Sequence, residues 1–242
     1  MSKTNFILTY PHVIKYVEPQ KVVETFTTAG DGSWICPTGV TYIHIECIGG
    51  GGAGKSASSP GSAGSGGGGG AYASTYFAGY GYAVTPGKYY NYTVGYGGDT
   101  MGPNGSRGGG YTRFRDGYTD IIYAAAGGDY GGQVVNCVGY TRYRGGDGAI
   151  GLDYSYSGGA GSPGSSFGYG EDADGVNGHP DGRYYNPDGA YGIDGASYSS
   201  TYYGYGGSGA MMSRHWSDGP YYGGNGIGGI ITLTYTIPGY WI

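Results

Sequence analysis

Basic residues are scarce in this sequence. Twelve Lys and Arg residues stand against 17 Asp and Glu in a chain of 242, and the formal net charge is −5. The densest basic stretch, TRYRGG at 141–146, contains only two arginines, whereas a nucleic-acid interface gathers many on one face. No apolar run approaches the ~20 residues that a membrane-spanning helix needs. We therefore expect no nucleic-acid partner and no insertion into a membrane.

Cysteine is equally sparse. Cys36, Cys47 and Cys137 form an odd set without C-x-x-C spacing, which indicates reduced, largely buried thiols rather than a disulfide framework. Lys15 and Glu18 interrupt the N-terminal region, so it does not have the apolar centre of a signal peptide. We expect a protein made in a cytoplasm that leaves the cell without the general secretion route.

Glycine and tyrosine dominate the composition instead, with 59 Gly and 31 Tyr against only 5 Phe. Glycine at several times its average usage of ~7%, without a strict triplet, is typical of low-complexity chains. The tyrosines favour a folded protein, because they supply a large amphipathic surface on which glycine-rich backbone can pack.

Strict alternation of apolar and polar residues predicts β-strands in the remaining sequence. In VTYIHIECI (40–48), Ile43, Ile45 and Cys47 share one face. The other strand-like segments are KYYNYTVGY (88–96), with Tyr90, Tyr92, Val94 and Tyr96 on one face, DIIYAAAG (120–127) and IITLTYTI (230–237). No segment combines a helical apolar stripe with caps. The predicted fold is all-β: a sandwich of short antiparallel strands with long Gly/Tyr-rich loops and little or no helix.

Composition also divides the chain into segments. Residues 1–24 contain no glycine and mix apolar with charged side chains, which predicts either an arm that docks on another subunit or an ordinary edge strand. Residues 25–242 form a glycine-rich β domain in which 133–227 is a Gly/Tyr-rich loop insertion. A docking arm would make the protein a homo-oligomer.

Glycine recurs at every third position in several loops. The triples are 61/64/67/70, 102/105/108, 145/148/151, 158/161/164, 189/192/195 and 223/226/229. A polyproline II helix has three residues per turn, so glycine at this spacing leaves one bare edge along which neighbouring chains can approach. The loops are therefore either packed polyproline II segments or irregular connections; collagen is excluded, because it needs a strict, proline-rich repeat.

The segment GGGGAGKS (49–56) matches the phosphate-loop pattern G-x-x-x-x-G-K-[ST]. A phosphate loop must lead into a helix whose N-terminus faces the phosphates. Pro60 and a run of glycines follow instead, and these residues do not sustain a helix. We expect no nucleotide and no other cofactor.

A cluster of acidic side chains in EDADGVNGHPDG (171–182) raises the question of calcium. Its candidate ligands are Asp172, Asp174 and Asn177. The segment fails the helix–loop–helix calcium pattern, because Val176 and Arg183 occupy ligand positions. Solvated Asp-Gly turns are the alternative.

Two loops, 182–207 and 211–224, are rich in Tyr, Ser, Gly, Asn and Asp. Binding loops that evolve for recognition use this composition, in which rigid aromatic rings provide contact area and small polar residues provide adaptable hydrogen bonds. The alternative is that the tyrosines only cover glycine-rich backbone. The predicted receptor-binding residues are Tyr184, Tyr185, Tyr202, Tyr203, His215, Trp216, Tyr221 and Tyr222.

The order of motifs resembles a known family. A W-x-x-P-x-G-V turn (34–40) leads into a strand that ends in poly-glycine, a V-T-P-G turn (84–87) follows, and GNGIGGIITLTYT closes the pattern. Over about 25–132 and 223–237 the chain resembles the glycine-rich domain of bacteriophage tail and fibre proteins. It is also similar in style to distal-fibre adhesins, whose glycine-rich segments pack as polyproline II layers.

This resemblance implies a non-enzymatic virion protein that is made in the host cytoplasm and located in the extracellular particle. The expected function is attachment to a host-surface glycan or protein by a tail fibre, tail tip or capsid spike, with residues 1–24 joining other virion subunits. The first alternative is a purely structural, repeating subunit of a capsid or extracellular filament. The second is a polysaccharide-degrading tail enzyme.

Overall fold

The computed structural model describes residues 15–57, 62–75, 81–100, 108–128, 137–148, 161, 165, 203–206 and 222–241. These ranges contain β-strands and no helix, so none of them holds a helix that could cross a membrane. The strands are β1 Tyr16–Val17, β2 Gln20–Phe26, β3 Gly30–Ile35, β4 Tyr42–Ile48, β5 Tyr72–Ser74, β6 Tyr82–Ala83, β7 Tyr89–Val94, β8 Thr112–Asp116, β9 Thr119–Ala124, β10 Thr141–Tyr143, β11 Ile230–Ile237 and β12 Tyr240–Trp241. The all-β prediction is confirmed.

The strands form two main antiparallel sheets. One has the order β10-β5-β4-β11-β2, with β6 pairing β4 beside β5, and the other has the order β3-β7-β8-β9. A short ribbon of β1 and β12 stands beside them. The closing strand β11 lies between β4 and β2, so an early and a late segment of the chain pair with each other at one side of the larger sheet.

The core lies between the two sheets. Ile43, Ile45 and Cys47 of β4 are fully buried, as their alternation predicted, and Ile231 and Leu233 of β11 lie beside them. From the other sheet, the Trp34 ring approaches those of Tyr90 and Phe114, with centroids 6.0 Å away in each case. Trp34 also contacts Tyr235 of the first sheet at 5.7 Å, so this one aromatic side chain connects the sheets.

The predicted boundary between residues 24 and 25 falls inside β2. This strand pairs with β11 from Gln20 to Phe26 and forms an edge of the larger sheet. Residues 20–24 are therefore an edge strand of the sandwich, and residues 1–14 lie outside the described part. Docking of residues 1–24 onto another subunit stays a prediction. Within the 133–227 segment, β10 pairs with β5 and extends the same sheet.

Beyond the strands, glycine-rich segments pack against one another in what we call the glycine layer. It comprises residues 49–55, 65–71, 95–98, 109–110, 125–128, 204–206 and 223–229. In its first segment, every third N–H donates to the second segment, which runs antiparallel. These bonds join Gly49 to Ala71, Gly52 to Gly68 and Lys55 to Ser65, at 3.0, 2.9 and 2.8 Å.

Residues 49–55 also donate hydrogen bonds to two further segments, and Gly51 and Gly54, again three residues apart, donate to the same one. The Gly51 and Gly54 N–H groups donate to Ile227 and Gly224, each at 2.9 Å, and the Gly50 N–H donates to Gly110 at 2.9 Å. One segment therefore bonds to different neighbours along three edges, and the three-residue repeat is that of polyproline II. With these N–H groups committed to carbonyls, the phosphate-loop look-alike has few backbone donors left for a phosphate.

Glycine is required where these backbones meet. A Cβ at Gly52 would overlap the carbonyl of Gly128, and one at Gly70 would overlap that of Gly49. Of the predicted glycine sets, the members 67 and 70, 145 and 148, and 223, 226 and 229 lie in such contacts, whereas Gly108 does not. Backbone thus packs on backbone without intervening side chains.

We expect Gly52→Ala and Gly128→Ala to differ sharply, although the two residues touch. Alanine at 52 meets backbone that cannot move aside, so the free energy of unfolding should fall by about 2–3 kcal/mol. A Cβ at Gly128 meets nothing within 4 Å, so that variant should stay within about 0.5 kcal/mol of the parent. Urea unfolding measures both, and equal losses would contradict backbone packing as the reason for glycine at 52.

The three cysteines are free and buried, as predicted, and burial raises the pKa of each thiol. A raised pKa keeps the thiolate fraction low, and the thiolate is the reactive form. At pH 8 we expect Ellman's reagent to label none of the thiols in the native protein and all of them in urea. Rapid native labelling would place at least one thiol at the surface.

Candidate functional site

Four side chains stand in one row across the outer face of the smaller sheet. Asp31 of β3 pairs with Thr93 of β7, Thr93 pairs with Arg113 of β8, and Arg113 pairs with Tyr123 of β9. The row appears on this face because the adjacent positions Tyr92, Phe114 and Ile122 point into the core. The strand register thus aligns a carboxylate, a hydroxyl, a guanidinium and a phenol.

Thr93 connects the two charged members of the row. Its hydroxyl donates to Asp31 Oδ1 at 2.6 Å and accepts from Arg113 Nε at 3.4 Å. Both charged side chains are thereby held in fixed positions on a rigid sheet. The terminal nitrogens of Arg113 and the second oxygen of Asp31 remain for other partners.

Two tyrosines lie against Arg113. The Tyr111 ring stacks on Tyr123, with centroids 5.2 Å apart and an interplanar angle of 27°. The Arg113 guanidinium lies 4.6 Å from the Tyr111 ring centroid, a distance at which a cation is attracted to the ring electrons. The pKa of Tyr123 is raised mainly by burial and, to a smaller extent, by the neighbouring Tyr111. Its hydroxyl therefore stays protonated at neutral pH.

Tyr96 supplies an open aromatic ring. The sequence predicted that it shares a face with Tyr90, but β7 ends at Val94, where the chain enters the glycine layer. Tyr96 is 60% exposed as a result. A Cβ at Gly110 would stand 3.0 Å from the Tyr96 ring, so glycine at 110 lets the ring lie close to the backbone.

Together these residues enclose what we call the tyrosine cleft, with a volume of about 420 Å³. Its polar and aromatic walls are Asp31, Thr93, Tyr96, Tyr111 and Tyr123, and glycine backbone lines it at 95 and 109–110. Arg113 stands at the rim, in contact with Thr93 and Tyr111. Flat rings beside fixed polar groups are the usual composition of a small-ligand site.

A second depression of about 440 Å³ lies on the outer face of the larger sheet, beside Lys21, Tyr42 and His44. One of its polar lining residues, His44, lies beside Glu46, which is outside the lining and engaged within the sheet. Glu46 accepts a hydrogen bond from the Tyr72 hydroxyl at 2.6 Å and lies 3.8 Å from His44 Nε2. Burial lowers the pKa of His44, against the opposing effect of Glu46, so His44 is mainly neutral at pH 7. We therefore take the tyrosine cleft as the candidate site.

The sequence profile of the glycine-rich domain family matches residues 27–238. The chain belongs to the glycine-rich domain family. The matched range spans the segment 133–227, whose interpretation as a loop insertion within the domain stays a prediction. A comparison with curated proteins finds no match.

Most of the receptor-binding residues predicted in this glycine-rich domain lie outside the described part. They are Tyr184, Tyr185, Tyr202, His215, Trp216 and Tyr221, and the calcium candidates Asp172, Asp174 and Asn177 lie outside it too. Tyr203, in a turn, and Tyr222 are described, each directly before a segment of the glycine layer, and neither lines the tyrosine cleft. Among the residues in view, no group of three His, Cys, Asp or Glu side chains could hold a metal ion.

The residues of the tyrosine cleft were missed by sequence reasoning. The available signal was the alternation in YTRFRD (111–116). Thr112 and Phe114 are buried, so Tyr111 and Arg113 face outward. An outward Arg next to an outward Tyr marks one wall of the cleft. The opposite wall depends on strand pairing with β3 and β7, which a single sequence does not reveal.

Thr93→Val should loosen the row without changing its shape. Loss of both hydrogen bonds should lower the free energy of unfolding by about 1 kcal/mol, measured by urea denaturation. Thr93→Ser retains the hydroxyl and should lose less. Valine keeps the methyl group and lacks the hydroxyl, whereas serine does the reverse, so a larger loss in Thr93→Ser than in Thr93→Val would contradict a stabilising role of the hydroxyl.

Proposed function

We propose that this glycine-rich domain is a non-enzymatic component of a phage virion, in a tail fibre, tail tip or capsid spike, that attaches the particle to a saccharide on the host surface. The observation that carries the proposal is the tyrosine cleft. The order of the W-x-x-P-x-G-V turn, the poly-glycine segment and the closing strand supports the phage assignment through its resemblance to tail and fibre proteins.

The composition of the cleft suits a sugar. A pyranose ring has an apolar face and a hydroxylated rim, so it pairs well with a flat aromatic side chain that has polar groups beside it. Tyr96 provides the open ring, and Asp31 and Arg113 provide an acceptor and donors. Because Thr93 fixes both charged groups, little side-chain entropy is lost on binding.

The arrangement favours binding over hydrolysis. Enzymes that cleave glycosidic bonds use two carboxyl groups about 5–10 Å apart on either side of the scissile bond. Of the described residues that line the cleft, Asp31 alone carries a carboxylate, and it already accepts a hydrogen bond from Thr93. A polysaccharide-degrading activity therefore has no second group at this site.

The loops 182–207 and 211–224 are proposed as a further contact surface, with the predicted residues Tyr203, Trp216 and Tyr222 among those that meet the receptor. Attachment by a homo-oligomer would make a weak site sufficient, since several linked sites gain avidity without any new contact. Residues 1–24 would connect the subunit to the rest of the particle.

A purely structural subunit is the competing proposal. It is favoured by β2, which forms an edge of the larger sheet and could pair with a strand of a neighbouring copy. Under that proposal the tyrosines would be buried between subunits in the particle. Substitutions in the cleft would then prevent assembly and would not affect adsorption alone.

The double variant Tyr96→Ala/Tyr111→Ala should reduce host adsorption at least tenfold while particles still assemble, because the aromatic contacts of the cleft are lost. Tyr118→Ala is the matched control: Tyr118 is 98% exposed in the turn between β8 and β9 and is not in the cleft. Adsorption is counted as free particles that remain after incubation with host cells.

A companion variant, Trp216→Ala/Tyr221→Ala/Tyr222→Ala, tests the loops in the same assay. Normal adsorption by both the cleft variant and the loop variant would overturn the attachment proposal. Failure of particles to assemble in the cleft variant alone would favour the structural one.

A further inference from the structure

Arg113 has no direct ion-pair partner among the described residues, and the nearest carboxylate on its row, that of Asp31, is separated from it by the Thr93 hydroxyl. Its Nε donates to a neutral hydroxyl, that of Thr93, and its guanidinium lies on a neutral ring, that of Tyr111. No carboxylate of the described residues forms an ion pair with it. Elsewhere in the same sheet, Lys88 is paired with Asp116 at 2.7 Å, so the missing pair at Arg113 is a local property.

We propose that the tyrosine cleft selects an acidic saccharide, a sugar whose ring bears a carboxylate, and that Arg113 binds this carboxylate. The inference rests on the proposed function and names its ligand class. Arg113 is the residue that determines specificity, and Tyr96 contributes the aromatic contact that acidic and neutral sugars share.

The geometry of Arg113 fits a carboxylate. With Nε bound to Thr93, the two terminal nitrogens form the free end of a planar fork, and such a fork binds the two oxygens of a carboxylate side by side. The Tyr111 ring holds the plane of the guanidinium in place. A carboxylate bound there would therefore meet donors that are already oriented.

Asp31 defines the length of the ligand. Its strand lies two strands away from that of Arg113, but only the Thr93 hydroxyl separates the two charged groups, at 2.6 Å from Asp31 Oδ1 and 3.4 Å from Arg113 Nε. A ligand carboxylate is therefore expected at the terminal nitrogens of Arg113 and not near Nε, and the second oxygen of Asp31 can accept a hydroxyl of the adjacent sugar. The ligand is thus expected to be an oligosaccharide whose acidic unit lies at Arg113 and whose next unit lies toward Asp31.

Attraction of acidic polymers by overall charge does not account for such binding, because the chain carries a net charge of −5. Recognition would depend on a single ion pair. The binding affinity should accordingly fall with salt concentration about as steeply as expected for one charge. Basic surfaces that bind polyanions lose affinity much more steeply.

The test is binding of the full-length protein to an array of matched sugars: oligosaccharides with glucuronate or galacturonate, the same chains with glucose or galactose, and sialylated chains beside their desialylated forms. We expect binding to acidic members to exceed binding to their neutral partners. Arg113→Gln should weaken acidic binding about tenfold to a hundredfold, the range for loss of charged hydrogen bonds, and weaken neutral binding much less, because a neutral sugar loses only uncharged acceptors at this position.

Arg115→Gln is the matched control, because it removes the same charge two residues along β8, whereas the hydrogen bond to Thr93 and the contact with the Tyr111 ring belong to Arg113. Acidic binding by this variant should equal that of the parent. Arg113→Lys keeps the charge but not the fork and should fall between the parent and Arg113→Gln. Thermal unfolding of each variant shows that the fold is retained.

The outcomes separate the two proposals. Equal binding of acidic and neutral sugars, lost in Tyr96→Ala but not in Arg113→Gln, would overturn the acidic ligand and leave saccharide attachment standing. An equal loss of acidic binding in Arg113→Gln and Arg115→Gln would show that the overall positive charge of β8 attracts the sugar. That result would also overturn the assignment to Arg113. Binding to no saccharide, together with normal adsorption of the Tyr96→Ala/Tyr111→Ala particles, would overturn attachment through the cleft itself.

Discussion

Hydrogen bonds between glycine backbones hold this protein together beyond its strands. In residues 49–55 every third N–H donates to the same neighbouring segment, and these bonds form only because no Cβ separates the chains. The two sheets meet through Trp34 and the buried rows of β4 and β11. The glycine layer begins where β4 ends, at the poly-glycine segment that follows it. The layer also fixes Gly95 and Gly110, and with them the position of the Tyr96 ring.

The tyrosine cleft therefore combines two kinds of architecture. One wall is an ordinary antiparallel sheet, where strand register sets Asp31, Thr93 and Arg113 side by side. The other wall is the beginning of the glycine layer, where bare backbone lets aromatic rings lie close. A ligand in the cleft would meet rigid groups on both sides, which is the condition under which a small contact area gives useful specificity.

Sequence reasoning predicted local structure well and long-range pairing poorly. Alternation located β4, β9 and β11 and the inward faces of Ile43, Ile45 and Cys47, because burial of one face leaves a direct trace in the sequence. Triples of glycine predicted the backbone contacts for the same reason. The tyrosine cleft was missed because its walls come from strands more than 60 residues apart. Tyr96 was placed on the wrong face because a single sequence does not show where a strand ends and a three-residue repeat begins.

A layer built from backbone has a thermodynamic consequence. Unfolding it exposes mainly peptide groups, and polar exposure lowers the heat capacity change of unfolding, whereas apolar exposure raises it. For its size the domain should have a small heat capacity increment and a broad, flat stability curve. A protein of this kind would retain nearly constant stability across a wide range of temperatures.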